Sequence, residues 1–289
     1  MTDATALDIT PTAGALGAIV RGLDLHADVS DADIAAIQRA LLDYKVIFLP
    51  DQHLDRDQHV ALGRRFGDLE SFHPSDEDID DPDKTHPEVL SLRSEQGLIA
   101  DLWHTDVTWS ETPPVASLVR MELTPDHGGD TIWSNQAAAF AALSAPMREM
   151  LLGLTAVHTG RPLGHPNLRA THPVVRAHPE TGEACLYVNR QFTKYIAELS
   201  PGEGDALLTY LFNWCEQPQF TYRHQWSKGT VAMWDNRCTM HYVVNDFVGP
   251  RILERVTITG DDPQPAGDVR WPAYKVTGVS ASAGPTLMR

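Results

Sequence analysis

Residues 102–109 read LWHTDVTW, which sets an imidazole and a carboxylate two positions apart. In an extended strand, side chains at that spacing share a face, so His104 and Asp106 can grip one metal ion together. A third, distant histidine would complete a 2-His-1-carboxylate set. Such a set leaves three positions of an iron ion open on one side, which suits a chelating co-substrate and dioxygen. His241, in the run TVAMWDNRCTMHYVV just beyond an expected strand and turn, is the candidate. An H-x-D pair alone is a weak signal. The chain carries two further copies, His26-Ala27-Asp28 and His53-Leu54-Asp55, each ahead of an expected helix, where Asp28 and Asp55 read as capping or first-turn carboxylates. The plainer reading of His104 and His241, as hydrogen-bonded core histidines, stays open on spacing alone.

Other groups gain meaning only in company. Arg251 and Arg255 are four apart in RILERVTIT and would share a strand face. Pointed inward they would need an anion, because an unpaired buried guanidinium is costly. On a surface strand they would pair with Glu254, Asp246 or other acids. Gly128-Gly129-Asp130-Thr131 lacks the lysine of a phosphate loop and reads as a Gly-Gly turn in a hairpin-like context, with Thr131 opening the next strand. His158, His165, His172 and His178 cluster in a turn-rich stretch and are read as packing rather than a second metal site. Trp133 and Trp234 are read as core.

These residues need a frame that turns them inward. The 289-residue chain, 42% hydrophobic, can bury one large core. Ser30-Asp31-Ala32-Asp33 has the form of a capping box before the helical run AAIQRALLDY, and KVIFLP (45–50) reads as a buried strand. A second helix is expected over 55–65, and a long polar loop over 73–95. From about Trp103, short strand-like runs alternate with turns: VASLVRMEL, DTIWS, HPVVRAH, CLYVN, TYRHQW, TVAMWD and RILERVTIT. Helices are expected at 135–154 and 201–216. The pattern predicts a mainly β fold, a sandwich or barrel with peripheral helices, in one domain over 1–289. The core is placed at about 95–262 and a loosely held C-terminal arm at 263–289.

Composition narrows the partners. A formal net charge of −16 with no Lys/Arg-rich run argues against nucleic acid. No stretch approaches the ~18 apolar residues of a membrane span. The start MTDATALDIT shows no secretory pattern, and Cys185, Cys215 and Cys238 form no C-x-x-C pair, so the expected address is the cytoplasm.

Taken in order, WHTDVTW, GGDT-W, HPVVRAHPETG, LYVNRQFT, MWDNRCTMHY and R-x-x-x-R-x-T-x-x-GD resemble the taurine dioxygenase/2,4-dichlorophenoxyacetate dioxygenase family of Fe(II)- and 2-oxoglutarate-dependent oxygenases. The likeness runs over roughly residues 13–262. It implies a double-stranded β-helix, or jelly roll, with Fe(II) held by His104, Asp106 and His241, and with 2-oxoglutarate and O2 as co-substrates. By position, Arg251 and Thr131 correspond to the residues that take the distal carboxylate of 2-oxoglutarate. Arg255 and His73 correspond to substrate-anion residues, and Phe192 to a pocket wall. The likeness also implies a small anionic substrate (a sulfonate, alkyl sulfate or carboxylate) and a homo-oligomer. Taurine itself is not the expectation: Ala100 replaces an asparagine, Asp76 lies near the place of a tyrosine, and the segment 158–172 is short. Two other readings use the same residues. A zinc-dependent hydrolase on this ligand set would leave Arg251 without a task, and a non-catalytic jelly-roll binding protein would only sense iron or oxoglutarate.

Overall fold

The computed structural model describes residues 7–27, 29–71, 85–97 and 99–275. Asp28, His73 and Asp76 lie outside them. Two short strands, β1 (Asp8–Pro11) and β2 (Ala18–Arg21), precede helix α1 (Asp31–Tyr44), strand β3 (Val46–Leu49) and helix α2 (Arg56–Arg64). Both helices start as their sequences dictate. The Ser30 hydroxyl accepts the Asp33 N–H, and Asp55 forms a reciprocal box with Gln58, as expected for a capping carboxylate. β4 (Leu90–Arg93), β5 (Ala116–Leu123) and β6 (Thr131–Asn135) follow, then α3 (Gln136–Ala141) and α4 (Ala145–Leu151). Next come β7 (Thr155–Gly160), β8 (His165–Pro173), β9 (Val175–Ala177), β10 (Ala184–Leu186) and β11 (Thr193–Ile196). The chain then runs through α5 (Pro201–Cys215), β12 (Thr221–His224), β13 (Val231–Asp235), β14 (Thr239–Val243) and β15 (Ile252–Ile258).

Seven strands form the main sheet in the order β1-β2-β3-β13-β5-β15-β4, and β12-β6-β14 form a smaller sheet facing it. The central strands are apolar on both faces, so period two sorts each into two cores. Ile47, Leu49, Leu118, Val231, Met233 and Val256 pack under α1 and α2. Phe48, Val119, Met121, Ala232, Trp234 and Leu253 point the other way, between the sheets. There the Trp133 ring stands 5.4 Å from Phe48 and 5.8 Å from Trp234, joining the layers. The mainly β, jelly-roll expectation holds.

Several details differ from the sequence reading. The expected loop 73–95 contains β4, an edge strand on β15. The helix expected over 135–154 is two helices, divided before Ser144, where Pro146 restarts the turn. Gly128 and Gly129 are both left-handed (φ +76° and +68°), but their turn carries the chain from one sheet to the other and closes no hairpin. The stretch holding His158, His165 and His172, read as turn-rich, lies in the β7–β8 pair. The arm is docked as far as residue 275. Ala177 N–H donates to the Gln264 carbonyl at 2.8 Å, Ala266 to Val175 at 3.0 Å and Tyr274 to Ala197 at 2.8 Å. Trp271 lies so close to Gly153 that a Cβ there would meet its ring at 2.5 Å.

Candidate metal centre and co-substrate chamber

Two backbone hydrogen bonds organise the site. His104 N–H donates to the His241 carbonyl at 3.0 Å, and His241 N–H donates back at 2.7 Å. Residues paired in this way present their side chains on one face, and the two imidazole centroids are 4.1 Å apart. His241 lies just beyond β13 and the turn after it, as expected, and is itself part of a further strand, β14, in register with Trp133 of β6. His104 is extended only at this isolated bridge, after which the chain turns and Val107 takes φ +54°. Strand pleating therefore does not bring Asp106 to His104 as the spacing predicted. The turn does. Asp106 Oδ1 ends 3.7 Å from His104 Nε2 and 4.0 Å from His241 Nε2, too far for hydrogen bonds. All three side chains are buried, and their donor atoms lie within 4.8 Å of one another.

The protonation pattern fits a divalent cation. The His104 Nδ1–H donates to the Leu102 carbonyl at 2.7 Å, which leaves the Nε2 lone pair facing the centre. Burial lowers both imidazole pKa values, and for His241 the neighbouring His104 adds to the effect. Burial alone would raise the pKa of Asp106. Arg255, the two histidines and the Ser117 hydroxyl outweigh it and hold the carboxyl well below its ordinary range. The Nε2 lone pair of His104, the carboxylate of Asp106 and the ring of His241, whose neutral form burial favours, thus converge on one point.

Asp106 is held from several sides. Ser117 Oγ donates to Oδ2 at 2.9 Å, and Arg255 Nη1 donates to Oδ1 at 2.6 Å. The Asn236 side chain accepts the Asp106 N–H at 2.9 Å and donates to its carbonyl at 3.1 Å and to Pro114 at 3.0 Å. The sequence reading named neither Ser117 nor Asn236. Asn236 lies in the MWDNRCTMHY motif and could have been found there, whereas Ser117 is a small polar residue in an apolar run.

Beside this centre is a chamber whose wall includes Ala100, Val119, Thr131, Trp133, Trp234 and Arg251. Trp133 and Trp234 are core, as expected, but they also border the site; the Trp234 ring is 4.8 Å from that of His241. Arg251 is 6% exposed. Its Nε donates to the Gly129 carbonyl at 2.9 Å and its Nη2 to Thr131 Oγ1 at 3.3 Å. Among the described residues no carboxylate comes within ion-pair distance of it, and burial lowers its pKa to about 10. Glu254 and Asp246 are not its partners: Glu254 binds Arg56 and Arg120 on the opposite face of β15, and Asp246 binds Arg223. A buried cation without a counter-ion beside an open space marks a place for an anionic ligand group. Phe192 is buried, 6.0 Å from the His104 ring and 4.5 Å from Trp109.

Three of the four histidines between 158 and 178 contact protein groups. His158 Nδ1 meets the Thr108 hydroxyl at 3.0 Å, and His172 Nε2–H donates to the Thr108 carbonyl at 2.9 Å. His178, Asp235 and Cys238 also lie within ligand distance of one another. However, His178 Nδ1 accepts the Thr181 N–H and Nε2–H donates to Asp235 at 2.9 Å, while Asp235 also accepts from Arg237 at 2.7 Å. That cluster is a closed ion-pair network with no imidazole lone pair to spare.

The profile of the taurine catabolism dioxygenase TauD, TfdA family matches residues 8–257. The chain belongs to this family. It is a 2-oxoglutarate-dependent dioxygenase, and the family uses Fe(II), 2-oxoglutarate and O2. An alpha-ketoglutarate-dependent sulfate ester dioxygenase of Pseudomonas putida is 37% identical, over 90% of this chain and 92% of its own. An alkylsulfatase of Acinetobacter baylyi is 31% identical, over 88% and 86%. The crystal structure of a taurine dioxygenase from Burkholderia xenovorans matches with a TM-score of 0.81 at 39% identity, over 94% and 97%. Among the described residues no helix is long and apolar enough to cross a membrane.

Proposed function

We propose that His104, Asp106 and His241 hold Fe(II), that Arg251 and Thr131 receive the distal carboxylate of 2-oxoglutarate, and that the substrate is a small sulfate ester or sulfonate. The observation that carries this reading is Arg251, a buried cation with no carboxylate partner, opening onto the same chamber as the three donors. Bound there, Fe(II) with 2-oxoglutarate and O2 supplies oxidative decarboxylation coupled to hydroxylation of a substrate C–H bond. The protein's part is positioning. Arg251 and Thr131 fix the co-substrate by a charge-assisted contact, and the Trp133 and Trp234 walls keep water out. Arg255 meets the substrate anion with the part of its guanidinium not engaged by Asp106.

Ala100, which stands where the taurine enzyme has an asparagine, joins Val119, Leu92 and Leu253 in an apolar part of the chamber wall. An alkyl chain suits this wall, and the sulfate ester relatives agree. A hydroxyl placed on the carbon bearing the ester oxygen gives an adduct that collapses to a carbonyl compound and sulfate. His73 remains a proposed anion contact and Phe192 a proposed pocket wall. The whole chain is taken as one oxygenase domain, cytoplasmic and homo-oligomeric.

Anaerobic titration with Fe(II) and 2-oxoglutarate tests the reading through the visible absorption of the chelate. Wild type should show the band, His104→Ala should lose it, and Arg251→Ala should need far more 2-oxoglutarate. With O2 and an alkyl sulfate, succinate and sulfate should appear in equal amounts. Iron bound without any chelate band would remove 2-oxoglutarate from the mechanism and favour the hydrolase reading.

A further inference from the structure

Thr131 carries one hydroxyl, which can accept two hydrogen bonds and donate one. Both acceptor positions are taken by groups that can only donate. Trp226 Nε1–H points to Thr131 Oγ1 at 2.9 Å, and Arg251 Nη2 approaches the same oxygen at 3.3 Å. An indole N–H and a guanidinium have no lone pair to offer in return. The Thr131 proton therefore has neither neighbour as its acceptor, and among the described residues Thr131 Oγ1 makes no other hydrogen bond. The chamber is the open space beside it, and both Thr131 and Trp226 line that chamber. Trp226 is itself fixed, edge-on to Phe48 and His224 and 6.0 Å from the Trp133 ring, so its N–H cannot readily swing away.

We propose that Trp226 is a positioning residue that sets the polarity of Thr131, turning its hydroxyl into an obligate donor aimed at the ligand. Without the indole N–H, the hydroxyl could rotate and present a lone pair instead. With it, the distal end of the chamber offers only donors, from Thr131 and Arg251. It thereby selects a co-substrate ending in an acceptor-only carboxylate over one ending in an amide, alcohol or methyl group. The inference rests on the proposed reading of Arg251 and Thr131 as the co-substrate anchor.

The test is the affinity of the anaerobic Fe(II) protein for 2-oxoglutarate, read from the chelate band, in Trp226→Phe, Thr131→Val and the double variant. Trp226→Phe should weaken binding about three- to tenfold, the scale of one neutral hydrogen bond. In the Thr131→Val background the same change should have almost no effect. Binding of 2-oxopentanoate, which lacks the distal carboxylate, should be insensitive to Trp226→Phe. Replacing the indole of Trp226 with a benzothiophene keeps the bicyclic shape and removes the N–H. It should reproduce the Trp226→Phe result, even if the smaller phenyl ring impairs folding. Equal weakening with and without Thr131, or of both oxo acids alike, would mean that Trp226 acts by packing and would overturn the proposal. Unchanged affinity in every single variant would overturn it as well. If wild type itself gives no chelate band, the co-substrate reading fails, and that outcome is distinct from these.

Discussion

Asp106 meets its neighbours in a definite order, and the order says what each one does. Asn236 fixes its peptide, Ser117 fixes the oxygen turned away from the histidines, and Arg255 takes the oxygen turned toward them. Ser117 is the cleanest to remove, because a small hydroxyl leaves little empty space. Ser117→Ala should weaken binding of a divalent ion about tenfold, the usual scale for an outer hydrogen bond to a ligand, while the melting temperature barely moves. Competition with a chromogenic chelator measures this, and an unchanged affinity would show that Ser117 does not orient the carboxylate. The closeness of His104 and Asp106 could be expected because both lie in one short segment, although a turn rather than strand pleating brings them together. Ser117 could not. Its task depends on which residue of β5 faces the turn after His104, and that is fixed by the pairing of β5 with β13 and β15.

At the scale of elements, β15 shows why an alternating strand can serve two ends at once. Arg251, Leu253 and Arg255 face inward, while Glu254 ties α2 and β5 together outside through Arg56 and Arg120. Next to that network, His59 of α2 is fully buried, its Nε2 at 3.1 Å from the Leu118 carbonyl, and burial lowers its pKa to about 4 from an ordinary 6.5. The unfolded chain therefore binds this proton before the folded one does. The contribution of His59 is complete above about pH 6.5 and is lost as the pH falls from there to about 4, on the order of 3 kcal/mol. Chemical denaturation across that window should give a shallower pH dependence for His59→Leu than for wild type. Equal slopes would mean that His59 is not held neutral. Elements with a strong periodic signal were legible: α1, β3, β5, β13 and β15 all sit where the apolar pattern put them. β7 and β8 were not, because β8 is mostly exposed and carries proline, asparagine and arginine where a strand would show alternation.

For the molecule as a whole, the C-terminal arm pairs with β9 and reaches the ends of α4 and β11. Composition alone made it look loose, since the residues after Asp262 are rich in Pro, Gly, Ser and Ala. Docking depends instead on backbone pairing with β9 and on Trp271 beside Gly153, contacts that no local pattern reveals. Ending the chain at Asp262 should lower the unfolding free energy by about 2–4 kcal/mol through those lost hydrogen bonds and that apolar contact. Urea denaturation measures the loss, and a truncated chain as stable as the intact one would show that the arm only rests on the surface.

The bridge between His104 and His241 has a practical side. Its two hydrogen bonds join the ligand-bearing segments through their main chains, so the donors stand in place whatever the centre contains. The protein can then be treated as a reusable mount. On the proposed reading of His104, Asp106 and His241, a chelator should strip the iron and a redox-silent or spectroscopically visible ion should take the same three-point seat without refolding the chain. Each step of the reaction that the walls and arginines govern becomes open to study with the oxidative chemistry switched off.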